Sequence, residues 1–248
     1  MIVVGPNQQY TSFTQAVFET VNSGIDILVY PGIYDIKKEY QKLFHKTDFN
    51  DQTNLGNNFQ FGIWLRNRKV TFLPGAKLRS VWDFPKDFSA RFCTFFMAEN
   101  AILEGLDLYA EGTMYGIHDD VWRSEVPYVN EYHNCRIIGR NLFNSNCIGG
   151  GVTKNTRIII DNCYFDNGID TAATIRYHNT DYQDAESDIW ISNSYFNGIV
   201  AICPYGTKAN INAYINNCAM KDIQIIPEPG ATVTNVNVYE WNNIKKVN

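Results

Sequence analysis

The chain is poor in several features that would have fixed its class at once. Its 21 Lys and Arg are scattered through 248 residues against 26 Asp and Glu, for a formal net charge of −5. A phosphate backbone is gripped by clustered cations, so nucleic acid is not an expected partner. No apolar run approaches the roughly 20 residues that cross a bilayer, and membrane insertion is not expected either. The opening MIVVGPNQQYTSF lacks the basic and apolar regions of a secretory signal. The expected location is therefore inside a cell, or in a virion released by lysis. Six Cys form no CxxC, and they and the four His form no tight group, which removes zinc and dithiol redox chemistry from the expectations. No cofactor is expected: calcium needs several clustered oxygens, and Asp119 with Asp120 are too few.

What the chain does have is a recurring phrase. YHNCRI, IDNCYF, ISNSYF and INNCAM stack Asn134, Asn162, Asn193 and Asn217 in one column, with Cys135, Cys163, Ser194 and Cys218 in the next. A phrase repeated at such intervals marks units that cannot bury their apolar faces alone and must stack on their neighbours. Asn suits a turn column because it tolerates left-handed backbone and can hydrogen-bond to its equivalents above and below. The cysteines beside it read as compact core residues. Weaker forms of the phrase put Gly32, Gly75 and Gly105 in the turn column. Residues 11–24 predict one amphipathic helix, with Ser12 as cap, Phe13, Ala16, Val17 and Val21 on one face, and Gly24 at its end. Such a helix would cover the first rung, whose interior and edge are otherwise open. One all-β domain over 1–248 follows, with rungs over 25–241 and a polar tail from 242.

A second apolar phrase sets the register: YGIHDD, CIGGGV, TIRYHN and AICPYG align Ile117, Ile148, Ile175 and Ile202. If these point inward, alternation sends His118, Gly149, Arg176 and Cys203 outward, and Asp120, Gly151, His178 and Tyr205 beside them. Gly149, Gly150 and Gly151 would leave a trough between the rung of His118, Asp119 and Asp120 and the rung of Arg176, Tyr177 and His178. The long segments that follow, 121–132 and 179–187, would wall it with Trp122, Arg123, Tyr128, Tyr132, Asn179 and Tyr182. Aromatic faces beside carboxylates suit carbohydrate, whose C–H faces pack on rings while its hydroxyls need acceptors.

The short helix, the strand phrase ILVYPGIYDI and the Asn ladder resemble the right-handed parallel β-helices of the pectate-lyase-like superfamily. The set IHDD, CIGGG and RYHN resembles, more narrowly, tail-associated β-helix proteins of phages and prophages. The resemblance implies a single-stranded β-helix that cleaves a bacterial surface or capsular polysaccharide as a lyase or hydrolase, the alternative being a non-catalytic glycan-binding or receptor-binding tail protein, as a monomer or a homotrimer. The expected catalytic group is His118, Asp119, Asp120, Arg176 and His178. Trp122, Arg123, Gly149, Gly150, Gly151, Tyr177, Asn179, Tyr182 and Tyr205 would bind substrate. Polygalacturonase-like members carry a GHG and an RxK after their DD; this chain has the DD, no GHG and no RIK. Hydrolase, lyase and non-catalytic binder all stay open: a hydrolase needs two suitably spaced carboxyl groups, and a lyase needs a base and a cation to hold a uronate carboxylate.

Overall fold

A computed structural model describes residues 1–44, 62–83, 93–97, 99–120, 127–140, 147–152, 155–179, 185–204, 209–227, 231 and 235–246. Each full rung has three short strands, and each strand pairs in parallel with its equivalent in the next rung. Three sheets therefore run the length of a β-solenoid, with nine, eight and seven described strands. The first sheet comprises Ile2–Val4, Ile27–Val29, Arg68–Phe72, Ala101–Glu104, Tyr128–His133, Thr156–Asp161, Ala185–Ser192, Ala209–Asn216 and Asn235–Trp241. The third includes Cys93–Met97, Tyr115–Asp120, Ile148–Val152, Ala173–Asn179, Ile199–Cys203 and Asp222–Ile225. Between them in each rung lies a strand of the second sheet, such as Arg136–Arg140 or Tyr164–Asp166.

The corner between the first and second sheets is the Asn column. Asn134, Asn162, Asn193 and Asn217 have φ of 55°, 52°, 52° and 53°, and Asn242 joins them at 56°. Two steps of the column form an amide ladder, in which Asn162 Nδ2 donates to Asn134 Oδ1 at 2.6 Å and Asn217 Nδ2 to Asn193 Oδ1 at 2.8 Å, while Asn193 Nδ2 donates to Asp161 Oδ1 at 2.8 Å and Asn242 Nδ2 to Asn216 Oδ1 at 3.5 Å. Gly75 and Gly105 hold the earlier corners at φ of 94° and 73°. Gly32 does not; it begins the strand Gly32–Asp35. The segment read as a polar tail supplies one more corner and the strand Ile244–Lys245. All six cysteines are buried free thiols.

A helix, Phe13–Thr20, precedes the repeats, and Ser12 Oγ accepts from the Gln15 N–H at 3.2 Å as its sequence position predicts. A second helix, Ile36–Phe44, follows Gly32–Asp35 directly and was not expected. Its Glu39 Oε2 accepts from the Thr14 N–H at 2.7 Å, so the second helix caps the first. Phe13, Val17, Ile36 and Tyr40 belong to one continuous core that runs on through the rungs.

Candidate functional site on the third sheet

The register of the third sheet is the one expected over three rungs. Ile117, Ile148 and Ile175 pair in sequence, and so do His118, Gly149 and Arg176. The fourth rung departs from it. A register shift between Ala173 and Ile175 pairs Ile175 with Val200, which puts Tyr177 opposite Ile202 and His178 opposite Cys203. Cys203 thus neighbours His178, in place of the expected Tyr205. Trp122, Arg123, Tyr182 and Tyr205 lie outside the described residues, and of Asp120 and Asn179 the backbone alone is described.

His118 and His178 share the outward face. Burial, reinforced by the charge of His178, pushes the His118 imidazole down to about 3, so it is neutral at ordinary pH. The His118 ring stacks on Tyr115, centroids 5.4 Å apart and planes at 30°. The bare backbone expected at Gly149 is covered: a Cβ there would lie 2.5 Å from the Tyr115 ring. Arg176 hydrogen-bonds to the thiol of Cys203, which burial raises and Arg176 lowers. Ile199, Ala201 and Cys203 are all buried and pack with Ala173 on this side of the sheet.

Two expected site residues face the interior. Asp119 and Tyr177 are both 0% exposed, because the alternation that sends His118, Arg176 and His178 outward sends the residues between them inward. Asp119 Oδ1 accepts from Asn130 Nδ2 at 2.7 Å; its Oδ2 accepts from the Tyr132 hydroxyl at 2.8 Å and the Tyr177 hydroxyl at 3.2 Å. Gly150 makes the last bond possible. It sits between Asp119 and Tyr177 in the same inward column, and a Cβ on it would come within 2.7 Å of the Tyr177 ring. Burial lifts the Asp119 carboxyl to about 6 and outweighs the three donors, which pull the other way. Tyr128 and Tyr132, expected on a loop, are also core residues, because Tyr128–His133 is a strand with alternating burial.

Among the described residues no group of three or more His, Cys, Asp or Glu is placed to hold a metal ion. No helix among them is long and apolar enough to cross a membrane. Sequence reasoning missed the outer face of the first sheet, where Trp190, Tyr214 and Tyr239 stack in an exposed row. Their spacing in sequence, with aromatics two residues after Asp188, Asn212 and Asn237, was the signal available.

The fold and its wall define a three-sheet parallel β-solenoid. No family model matches the chain, and no curated protein matches it. Two solved structures resemble it, both of the pectin methylesterase from Aspergillus niger, in penultimately deglycosylated and deglycosylated forms. Each is 13% identical, with 98% of this chain and 75% of that chain covered and TM-scores of 0.37 and 0.38. At that distance the likeness carries nothing about chemistry, which rests on this chain's own side chains.

Proposed function

We propose that the protein holds a polysaccharide against the outer wall of its third sheet, with Tyr115, His118, Arg176 and His178 as its contacts, and that it binds the chain without cutting it. One observation carries the choice. Among the described carboxyl groups of the third sheet, the one that burial lifts to about 6, Asp119, is on the inner side of the sheet and fully hydrogen-bonded there. Of the two imidazoles on the outer side, His118 is too weak a base for efficient proton transfer at neutral pH, where a catalytic group works best with a pKa near the ambient value. A neutral imidazole stacked on a phenol ring gives this face an uncharged aromatic surface of the kind that the C–H groups of a sugar pack on. The resemblance of IHDD, CIGGG and RYHN to phage and prophage tail proteins supports a bacterial surface or capsular glycan as the ligand.

Cleavage, as lyase or hydrolase, is the second reading; it keeps Asp120 and His178 as its acid and base. A panel of purified capsular polysaccharides separates the two when binding is measured by calorimetry and new reducing ends and unsaturated uronate ends are measured together. Binding is expected to release no ends, and His178→Ala is expected to weaken it about tenfold, the loss of ~1.4 kcal/mol. Ends released by the native chain and abolished in Asp120→Asn would establish cleavage.

A further inference from the structure

The last three strands of the first sheet, Ala185–Ser192, Ala209–Asn216 and Asn235–Trp241, turn in-register rows outward. One row is polar: Asn212 Nδ2 donates to Asp188 Oδ1 at 3.3 Å, and Asn237 Nδ2 to Asn212 Oδ1 at 3.0 Å. The next is aromatic. Trp190 stacks on Tyr214 with centroids 4.1 Å apart and planes at 14°, and Tyr214 on Tyr239 at 5.1 Å and 12°. Trp190 and Tyr239 remain 41% and 48% exposed. A groove of about 930 Å³ adjoins these rows and runs back over the two preceding strands, Tyr128–His133 and Thr156–Asp161, with Arg157, Ser187, Asp188, Asn212 and Tyr214 in its lining.

Because the rings stack on one another, their flat faces are largely used within the row. What meets solvent is a line of ring edges and polar tips beside a polar line made of the Asp188 carboxylate and the Asn212 and Asn237 amides, both repeating at the strand spacing of about 4.8 Å. The occupant that matches is a polymer whose own repeat runs along the solenoid axis, with hydroxyls for the amides and C–H groups for the ring edges. An extended chain of sugar rings has that form. A peptide strand would seek unpaired backbone N–H and C=O groups, which a sheet offers at its edges and not on its face. Nucleic acid would need clustered cations. Arg157 is the cation among the described lining residues, and it stands opposite Asp188 in the neighbouring strand. That balanced pair gives the groove no preference for a charged chain.

We propose that this strip is a second polysaccharide site, which takes an uncharged glycan laid parallel to the solenoid axis. It stands independently of the third-sheet reading. Chitohexaose, cellohexaose and maltohexaose serve as neutral probes and hexagalacturonate as the charged one, each titrated while tryptophan emission is followed. At least one neutral hexamer is expected to shift the emission of the native chain and of His178→Ala equally. Trp190→Ala is expected to abolish the shift and, by calorimetry, to raise Kd about tenfold; Asn212→Ala, in the polar row, is expected to raise it severalfold with the rings intact. Hexagalacturonate is expected to bind at least tenfold more weakly. Silence from all three neutral hexamers, native affinity in both variants, or equal binding of hexagalacturonate overturns the proposal. Loss of binding in His178→Ala alone would return the ligand to the third sheet.

Discussion

Asp119 shows how far its surroundings can move one side chain. A carboxylate with three hydrogen-bond donors normally stays ionised to low pH, yet full burial holds this one at about 6. The folded chain therefore binds a proton more tightly than the unfolded chain, whose Asp titrates near 3.8. Stability from this group is fully present below about 4 and is lost as pH rises through 6, an effect of ~3 kcal/mol at ~1.4 kcal/mol for each pH unit. Asp119→Asn can keep the network, since its amide can donate to the two tyrosine hydroxyls and accept from Asn130. Urea unfolding at pH 3 and pH 7 is expected to show the native chain losing ~3 kcal/mol more than Asp119→Asn between the two. Asp119→Ala leaves the donors unpaired and is expected to cost about 3 kcal/mol or more. A native chain and an Asn variant with parallel pH profiles would refute the account. The inward direction of Asp119 was legible from the period-two alternation around Ile117. Its partnership with Tyr177 was not, because the two are 58 residues apart and meet only across a glycine rung.

At the scale of the element, the turns rather than the strands decide where the chain folds back. Each Asn of the corner column adopts left-handed backbone, and Asn162 and Asn217 also donate to the column Asn before them. The two contributions separate by substitution. Asn162→Ala loses both, and the left-handed conformation costs ~1–2 kcal/mol for a residue with a Cβ; Asn162→Gly keeps the conformation and loses only the ladder. Chemical denaturation is expected to show the Ala variant at least ~1 kcal/mol less stable than the Gly variant. Equal losses would mean that the ladder, not the backbone, carries the column. This column was readable in the sequence because its requirement is local to one residue. Elements set by longer-range packing were harder. Ile36–Phe44 follows a strand phrase without a break, and what holds it helical is Ile36 and Tyr40 in the core and Glu39 on the first helix. The register shift at Ala173–Ile175 moves the fourth rung by two residues relative to the simple alignment of isoleucines. No pattern within AICPYG announces it, because Val200 and Ile202 are equally good core residues.

Among the described residues the stack has two different ends. At one, the helices Phe13–Thr20 and Ile36–Phe44 close the core. At the other, among the described residues, the first sheet stops at Asn235–Trp241, where Val236 and Val238 are only partly buried against the core. An exposed parallel strand with an apolar inner row is a template for another chain. The inner column explains how this edge is blunted. Leu103, Tyr132, Ile160, Ile191 and Ile215 follow one another in register, and the next position is Glu240. Its carboxylate lies 3.4 Å from Lys245 Nζ, which also lies 3.6 Å from Asp222, so the charge that ends the column is held in a small surface network. A further rung stacked there would have to desolvate it. The charge acts against end-to-end association while adding little to the fold, since exposed ion pairs are worth about 0–1 kcal/mol. Glu240→Ile completes the apolar column. Its unfolding midpoint is expected to change little, whereas sedimentation velocity over a concentration series is expected to show larger species than the native chain forms at the same concentrations. If the two chains sediment alike at every concentration, Glu240 does not guard this edge and the partly buried valines are protected by some other feature.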